Sequence, residues 1–285
     1  TSAQRLFTGA NQFSLLAIPF FILAGNIMNN GGIAKRLVDL AKVISHRFPG
    51  CLAQTNAVGN MLFGAISGSG VAAAAAMGSM IGPMEEKEGY SKEFSAAANI
   101  ATGPTGMMIP PSNLMIVYSV VAGSVSIAAL FIGGYIPGIL WGILCMVIIG
   151  ILAKKRGYVS KETYTLQQGL SCFLKAIPSL LLIVIVIGGI LGGIFTATEG
   201  SAIAVVYSLI LSACYHSLKL KDLPKIFLNT VKTTAIVEFM VCVSSIMSWV
   251  MSFTHIPELI ANGLLGVTNN PTVILCIMNI ILIFV

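Results

Sequence analysis

The chain has 285 residues, 56% of them hydrophobic and only 9% charged, with a mean hydropathy of +0.92. Soluble globular chains carry roughly 25% charged residues, so a water-soluble domain around one core is excluded, and the composition reads as an all-α polytopic membrane protein in a lipid bilayer. The formal charge of +6 does not point to nucleic acid, because the Lys and Arg residues lie almost wholly between apolar runs, where they set orientation.

Apolar segments fall at 13–31, 51–82, 94–121, 126–153, 177–198, 200–216, 233–253 and 271–285. The first polar connection carries Lys35, Arg36, Lys42 and Arg47. The 154–175 loop carries Lys154, Lys155, Arg156, Lys161 and Lys175, and the 217–232 loop carries Lys219, Lys221, Lys225 and Lys232. An excess of Lys and Arg marks the cytoplasmic side, so all three are placed there. A turn near Glu199 and the 254–270 connection, which lacks Lys and Arg, are placed outside. Segment 51–82 then leaves from the inside, and 94–121 also starts there. A single crossing breaks this parity; a re-entrant hairpin at about 51–82 restores it.

The apex of that hairpin is Gly64-Ala-Ile-Ser-Gly-Ser-Gly70. Helix-breaking sequence at membrane depth survives only where protein or a polar cavity supplies partners for the backbone. The alternative is one long Gly/Ala-rich helix packed tightly on its neighbours. A second break, Gly103-Pro-Thr-Gly-Met-Met-Ile-Pro-Pro-Ser-Asn113, interrupts 94–121. Proline removes a backbone donor and clashes with the carbonyl four residues earlier, so this segment is read as a broken helix, with a simple proline kink as the alternative. Two interrupted apolar segments are the usual pointer to a transporter's binding site.

The candidate site residues are therefore Ser67, Gly68, Ser69 and Gly70 at the apex, with Gly103, Pro104, Thr105, Gly106, Pro110, Pro111, Ser112 and Asn113 at the break. Ser67, Ser69, Thr105 and the freed carbonyls around them, Gly103 included, offer oxygens without net charge. Such a set suits a weakly held monovalent cation such as Na⁺. The amides from Gly70 onward face the same place and can receive an anionic group. No Lys or Arg lies near Ser67 or Gly103 in the sequence, so helix dipoles and co-bound Na⁺ are expected to meet a substrate's charge. The plainer alternative is that the serines only bond a neighbouring helix.

Other polar groups carry less. Glu199 either lines a pathway or caps a helix, and Glu238 is expected to snorkel to the cytoplasmic surface. His46, His216 and His255 share no metal-ligand spacing, and the six scattered cysteines read as small buried hydrophobes. A serine flanked by glycines also suggests an intramembrane protease, but no histidine lies well inside an apolar run to act as its base. There is no Walker A sequence. The chain opens Thr-Ser-Ala-Gln with no signal-peptide pattern and closes inside an apolar run, so it is expected to be the middle of a longer protein.

Six stretches occur in order: Phe13-Ser-Leu-Leu-Ala-Ile-Pro-Phe-Phe-Ile-Leu-Ala-Gly25, Phe63 to Gly70, Gly89-Tyr90, Ile109-Pro-Pro-Ser112, Tyr135-Ile-Pro-Gly138 and Phe195-Thr-Ala-Thr-Glu199. Together they resemble the large membrane subunit of tripartite ATP-independent periplasmic (TRAP) transporters, of the dicarboxylate-permease type. The resemblance implies an inner-membrane, Na⁺-coupled elevator with inverted repeats, each giving a re-entrant hairpin and a broken helix. It implies a small membrane subunit, a periplasmic substrate-binding protein and a small carboxylate substrate as partners. On that reading residues 1–125 are the first repeat, 126–175 a connecting helix with a basic loop, and 176–285 the start of a second repeat. A binding-protein-independent Na⁺/anion symporter is the alternative within the same class.

Overall fold

A computed structural model describes residues 2–123, 125–158 and 165–284, the side chain of Leu166 excepted. Lys161, counted in the basic 154–175 connection, lies outside the described residues. No strand occurs among those described. The helices in order are α1 (Ser2–Ala10), α2 (Ala17–Asn30), α3 (Ile33–Ser45), α4 (Cys51–Ser67), α5 (Gly70–Lys87), α6 (Lys92–Thr102), α7 (Thr105–Met108), α8 (Asn113–Ala122), α9 (Ile127–Lys155), α10 (Leu166–Leu191), α11 (Ala197–Cys214), α12 (Leu223–Phe253), α13 (Ile256–Val267) and α14 (Pro271–Phe284). Among the described residues, five helical stretches are long and apolar enough to cross a membrane, and the bent α6–α8 segment makes a sixth if taken as one span.

The chain divides into two compact units, residues 12–237 and residues 1–11 with 238–285. In the larger unit α4 is the centre: α3, α5, α6, α7 and α9 all pack on it, and 15 of its 17 residues are buried. Beside it, α2 runs along α11. Ser201, Ala204, Ser208 and Ser212 of α11 are buried three or four residues apart, and such a small-residue stripe lets two helix backbones approach closely. By contrast Ile132, Ile136, Leu140, Ile143, Val147 and Ile151 of α9 are exposed, which in lipid carries no penalty. In the smaller unit, Gly9 of α1 lies against Ser245, and the Trp249 and Phe253 rings stack at 5.9 Å.

Several boundaries differ from those expected. The first basic connection is not a loop but holds α3, whose Ile33, Leu37, Leu40 and Ala41 are buried while Lys35 is exposed. α10 begins at Leu166 rather than 177, started by Thr165, whose N–H donates to Gln168 Oε1 at 3.0 Å. α12 begins at Leu223 rather than 233, with Pro224 in the first turn, where a missing N–H is harmless. The 254–270 connection holds α13. In each case the helix runs on into polar sequence, which hydropathy scores as loop. Cys51 and Cys242 are buried, but Cys214 and Cys276 are exposed, so burial describes only part of the cysteine set.

Candidate functional site

α4 and α5 form a helical hairpin. Gly68 ends α4 in the left-handed region, at φ +64, and its N–H donates to the Gly64 carbonyl at 2.9 Å. A side chain there would be strained, so the turn requires glycine. Ser69 is extended and caps α5, its Oγ accepting from the Ala72 N–H at 3.3 Å. The long-helix alternative for 51–82 is thereby set aside. Both feet of the hairpin are tied to one residue. Gly50 N–H donates to the Tyr158 carbonyl at 3.1 Å, Ser91 N–H donates to the Tyr158 hydroxyl at 3.0 Å, and the Tyr90 ring stacks on Tyr158 at 4.3 Å. The start of α4 and the end of α5 therefore lie at the same end of the pair.

The second break separates α6, α7 and α8, with a bend of 48° between Lys92–Met108 and Asn113–Ala122. The Pro110–Pro111 bond is cis. Freed carbonyls find side-chain donors here: Thr105 Oγ1 donates to the Thr102 carbonyl at 2.6 Å, Ser112 Oγ to that of Met107, and Trp141 Nε1 to that of Ala101 at 2.9 Å. Ser112 also caps α8. Three helical pieces, of which α6 and α8 carry side-chain caps from Ser91 and Ser112, are more than a proline kink.

The two breaks meet backbone to backbone. A Cβ added to Gly64 would lie 2.1 Å from Gly106 Cα, and one added to Gly70 would lie 2.6 Å from the Gly103 oxygen. Asn113 N–H donates to the Gly68 carbonyl at 3.1 Å, and the Pro111 carbonyl oxygen lies against Gly68. Pro104 sits at the start of α7. Ser67, Thr105 and Ser112 are fully buried. Ser67 Oγ donates to the Ser69 carbonyl at 3.4 Å, so Ser67, Thr105 and Ser112 each commit the hydroxyl proton to a carbonyl. A donating hydroxyl keeps its lone pairs as acceptors, and the buried Asn113 Oδ1 has no hydrogen-bond partner. The junction is rich in acceptors, the polarity a small cation needs.

Beside the tip lies a cavity of 360 Å³ lined by Gly25 and Asn26 of α2, Ser67, Ser69 and Val71 of the hairpin, and Asn229, Lys232 and Thr233 of α12. Asn26 is held in place by Thr230, to whose Oγ1 its Nδ2 donates at 2.9 Å. This corrects one expectation: a basic residue does stand at the tip. Lys232, expected in a cytoplasmic loop, lies on α12, which begins at Leu223 rather than 233. Sequence reading also missed a buried amide cluster, in which Asn60 Nδ2 donates to Asn56 Oδ1 at 3.0 Å, Asn99 Oδ1 at 3.1 Å and Thr102 Oγ1 at 2.8 Å. Its signal was present as Asn56 and Asn60 one turn apart in an apolar run. Glu199 is a capping residue: its Oε2 accepts from Thr196 N–H at 2.7 Å and Thr196 Oγ1 at 2.9 Å.

Interrupted helices that meet at neutral oxygens, among apolar helices long enough to cross a membrane, are the arrangement that transporters use at their binding sites. The chain belongs to the family described as "Tripartite ATP-independent periplasmic transporter, DctM component", whose model matches residues 1–285. It is 52% identical to the uncharacterized protein YgiK of Salmonella typhimurium, over 99% of this chain and 65% of that protein. It is 36% identical to the sialic acid TRAP transporter large permease protein SiaM of Vibrio cholerae, over 99% and 66%. To the C4-dicarboxylate TRAP transporter large permease protein DctM of Pseudomonas aeruginosa it is 37% identical, over 98% and 66%. The chain thus spans just under two-thirds of the length of these relatives. Membership in a family of permeases removes the intramembrane-protease alternative; no histidine lines the pocket that holds Ser67 and Ser69.

Proposed function

We propose that this chain is part of the large permease subunit of a Na⁺-coupled secondary transporter that imports an organic acid across the inner membrane. It works with a small membrane subunit and takes its carboxylate from a periplasmic binding protein. The substrates in the names of two relatives, sialic acid and C4-dicarboxylates, both carry carboxylates. In this reading α4–α5 is a re-entrant hairpin and α6–α8 a broken span. Residues 1–125 form the first of two inverted repeats, 126–175 connect, and 176–285 belong to the second, the hairpin moving as part of an elevator.

The observation that carries the reading is the hairpin itself: both feet held by Tyr158 and a glycine tip set into a broken helix. Na⁺ is held there by Ser67, Ser69, Thr105 and the Gly103 carbonyl. The Ser67 and Thr105 hydroxyls already donate to carbonyls and so present only lone pairs to it.

Uptake by the full-length protein, reconstituted with its small subunit and binding protein, tests the coupling. Alanine at Ser67, Ser69 or Thr105 raises the Na⁺ concentration for half-maximal uptake. Equal uptake with K⁺ in place of Na⁺ would falsify the scheme, and uptake that persists without binding protein would favour the simpler symporter. Cysteines at the exposed Arg47 and Lys87 label from the same side if the hairpin is re-entrant, and from opposite sides if it is not.

A further inference from the structure

The pocket at the hairpin tip has walls from three elements, and its single charged side chain is Lys232. Every other polar group in its lining, Asn26, Ser67, Ser69, Asn229 and Thr233, is neutral. Neither ion pair among the described residues, Lys92–Glu86 or His255–Glu258, involves Lys232. Lys232 is an exposed part of that wall, and with no carboxylate in the lining its ammonium gives the pocket a local positive potential. The 360 Å³ volume falls within the roughly 300–1,000 Å³ of small-molecule sites.

We propose that Lys232 is the charge-selecting residue of this pocket: its ammonium receives the anionic head group of a small organic acid, while the Asn26 and Asn229 amides and the Thr233 hydroxyl bond the remainder. The proposal rests on the transport reading above and adds to it. The cation comes from α12, outside the hairpin and the broken helix, so anion and Na⁺ are met by different elements. Na⁺ faces the junction of α4, α5 and α7, and the anion faces α12. Helix dipoles need not neutralise the substrate alone.

The test uses full-length protein lacking native cysteines and carrying Val71→Cys, an exposed residue of the pocket wall. Its reaction rates with a sulfonate-bearing and a trimethylammonium-bearing methanethiosulfonate reagent are compared. The anionic reagent is expected to be favoured, and Lys232→Gln to lower the anionic-to-cationic rate ratio by about tenfold, with Lys232→Arg restoring it. Succinate or sialic acid, whichever is transported, should slow labelling with Lys or Arg at 232 and not with Gln. An unchanged ratio in Lys232→Gln overturns the proposal. The ratio is read without transport, so Na⁺-driven uptake of the unsubstituted protein judges the transport scheme separately. Uptake kinetics give the second measurement: Lys232→Gln should raise KM about tenfold with Na⁺ half-saturation unchanged. A shift in Na⁺ half-saturation without a change in KM would assign Lys232 to the cation site and overturn the proposal.

Discussion

The stretch α4–α8 is less apolar than the long helices α9, α10 and α12, and the two are held by different forces. In the first, nearly all of α4 is buried, amides pair across helices, and glycines bring backbones into contact. In the second, only 22% of the most apolar window of α9 and 11% of that of α12 is buried. Lipid is as apolar as leucine, so burial between helices gains little in a bilayer; close packing and polar contacts do the holding. The long helices therefore need only their hydropathy, whereas the hairpin and the broken helix need specific residues at specific places.

That contrast can be broken most directly at Gly64. A methyl there would overlap the Gly106 backbone, so Gly64→Ala should destabilise the purified protein by about 3 kcal/mol, the upper end for overpacking, and abolish uptake. Thermal unfolding followed by tryptophan fluorescence reads the first effect; a melting temperature at the unsubstituted value would show that the two breaks do not touch. The next effect belongs to Asn60. Replacement by Leu leaves Asn56, Asn99 and Thr102 without their shared donor, and buried groups so stranded cost about 2 kcal/mol, measured in the same assay.

Glu85 sharpens the comparison through pH. It is fully buried near the foot of α5, and burial pushes its carboxyl above the usual carboxylate range, a rise that the Ser95 hydroxyl only partly offsets. The native state then holds a proton that the unfolded chain has already released. Stability should therefore fall as pH rises from the ordinary carboxylate value through the raised one, and stay lower above it. Glu85→Gln should flatten this slope and raise the melting temperature at neutral pH; a slope that persists in the variant would place the titration elsewhere. The smallest effect is expected on the exposed face of α9. A Cβ at Gly133 meets nothing within 4 Å, so Gly133→Ala should stabilise by up to about 1 kcal/mol through helix propensity alone and leave uptake unchanged.

Much of this was legible along the chain. Ser-Gly-Ser-Gly and the Gly-Pro and Pro-Pro steps announced both breaks, because glycine and proline act on the backbone locally, whatever surrounds them. The hairpin is seen, its two feet meeting at Tyr158, while the membrane face that charge parity gives those feet belongs to the proposed reading. Less legible were the helices α3 and α13, and the early starts of α10 and α12, where helix continues past the apolar stretch and hydropathy no longer marks it.

The sequence by itself determined that the protein is helical and lies in a membrane, and where its helices break, since composition and backbone chemistry are local properties. Only the tertiary structure decided that Gly64 faces Gly106, that Asn60 joins α4 to α6, and that Lys232 stands in the pocket beside Ser67 and Ser69. Those pairings join residues tens to more than a hundred positions apart. Which side of a helix meets which neighbour is fixed by the packing of all the helices together, and no single segment carries that information.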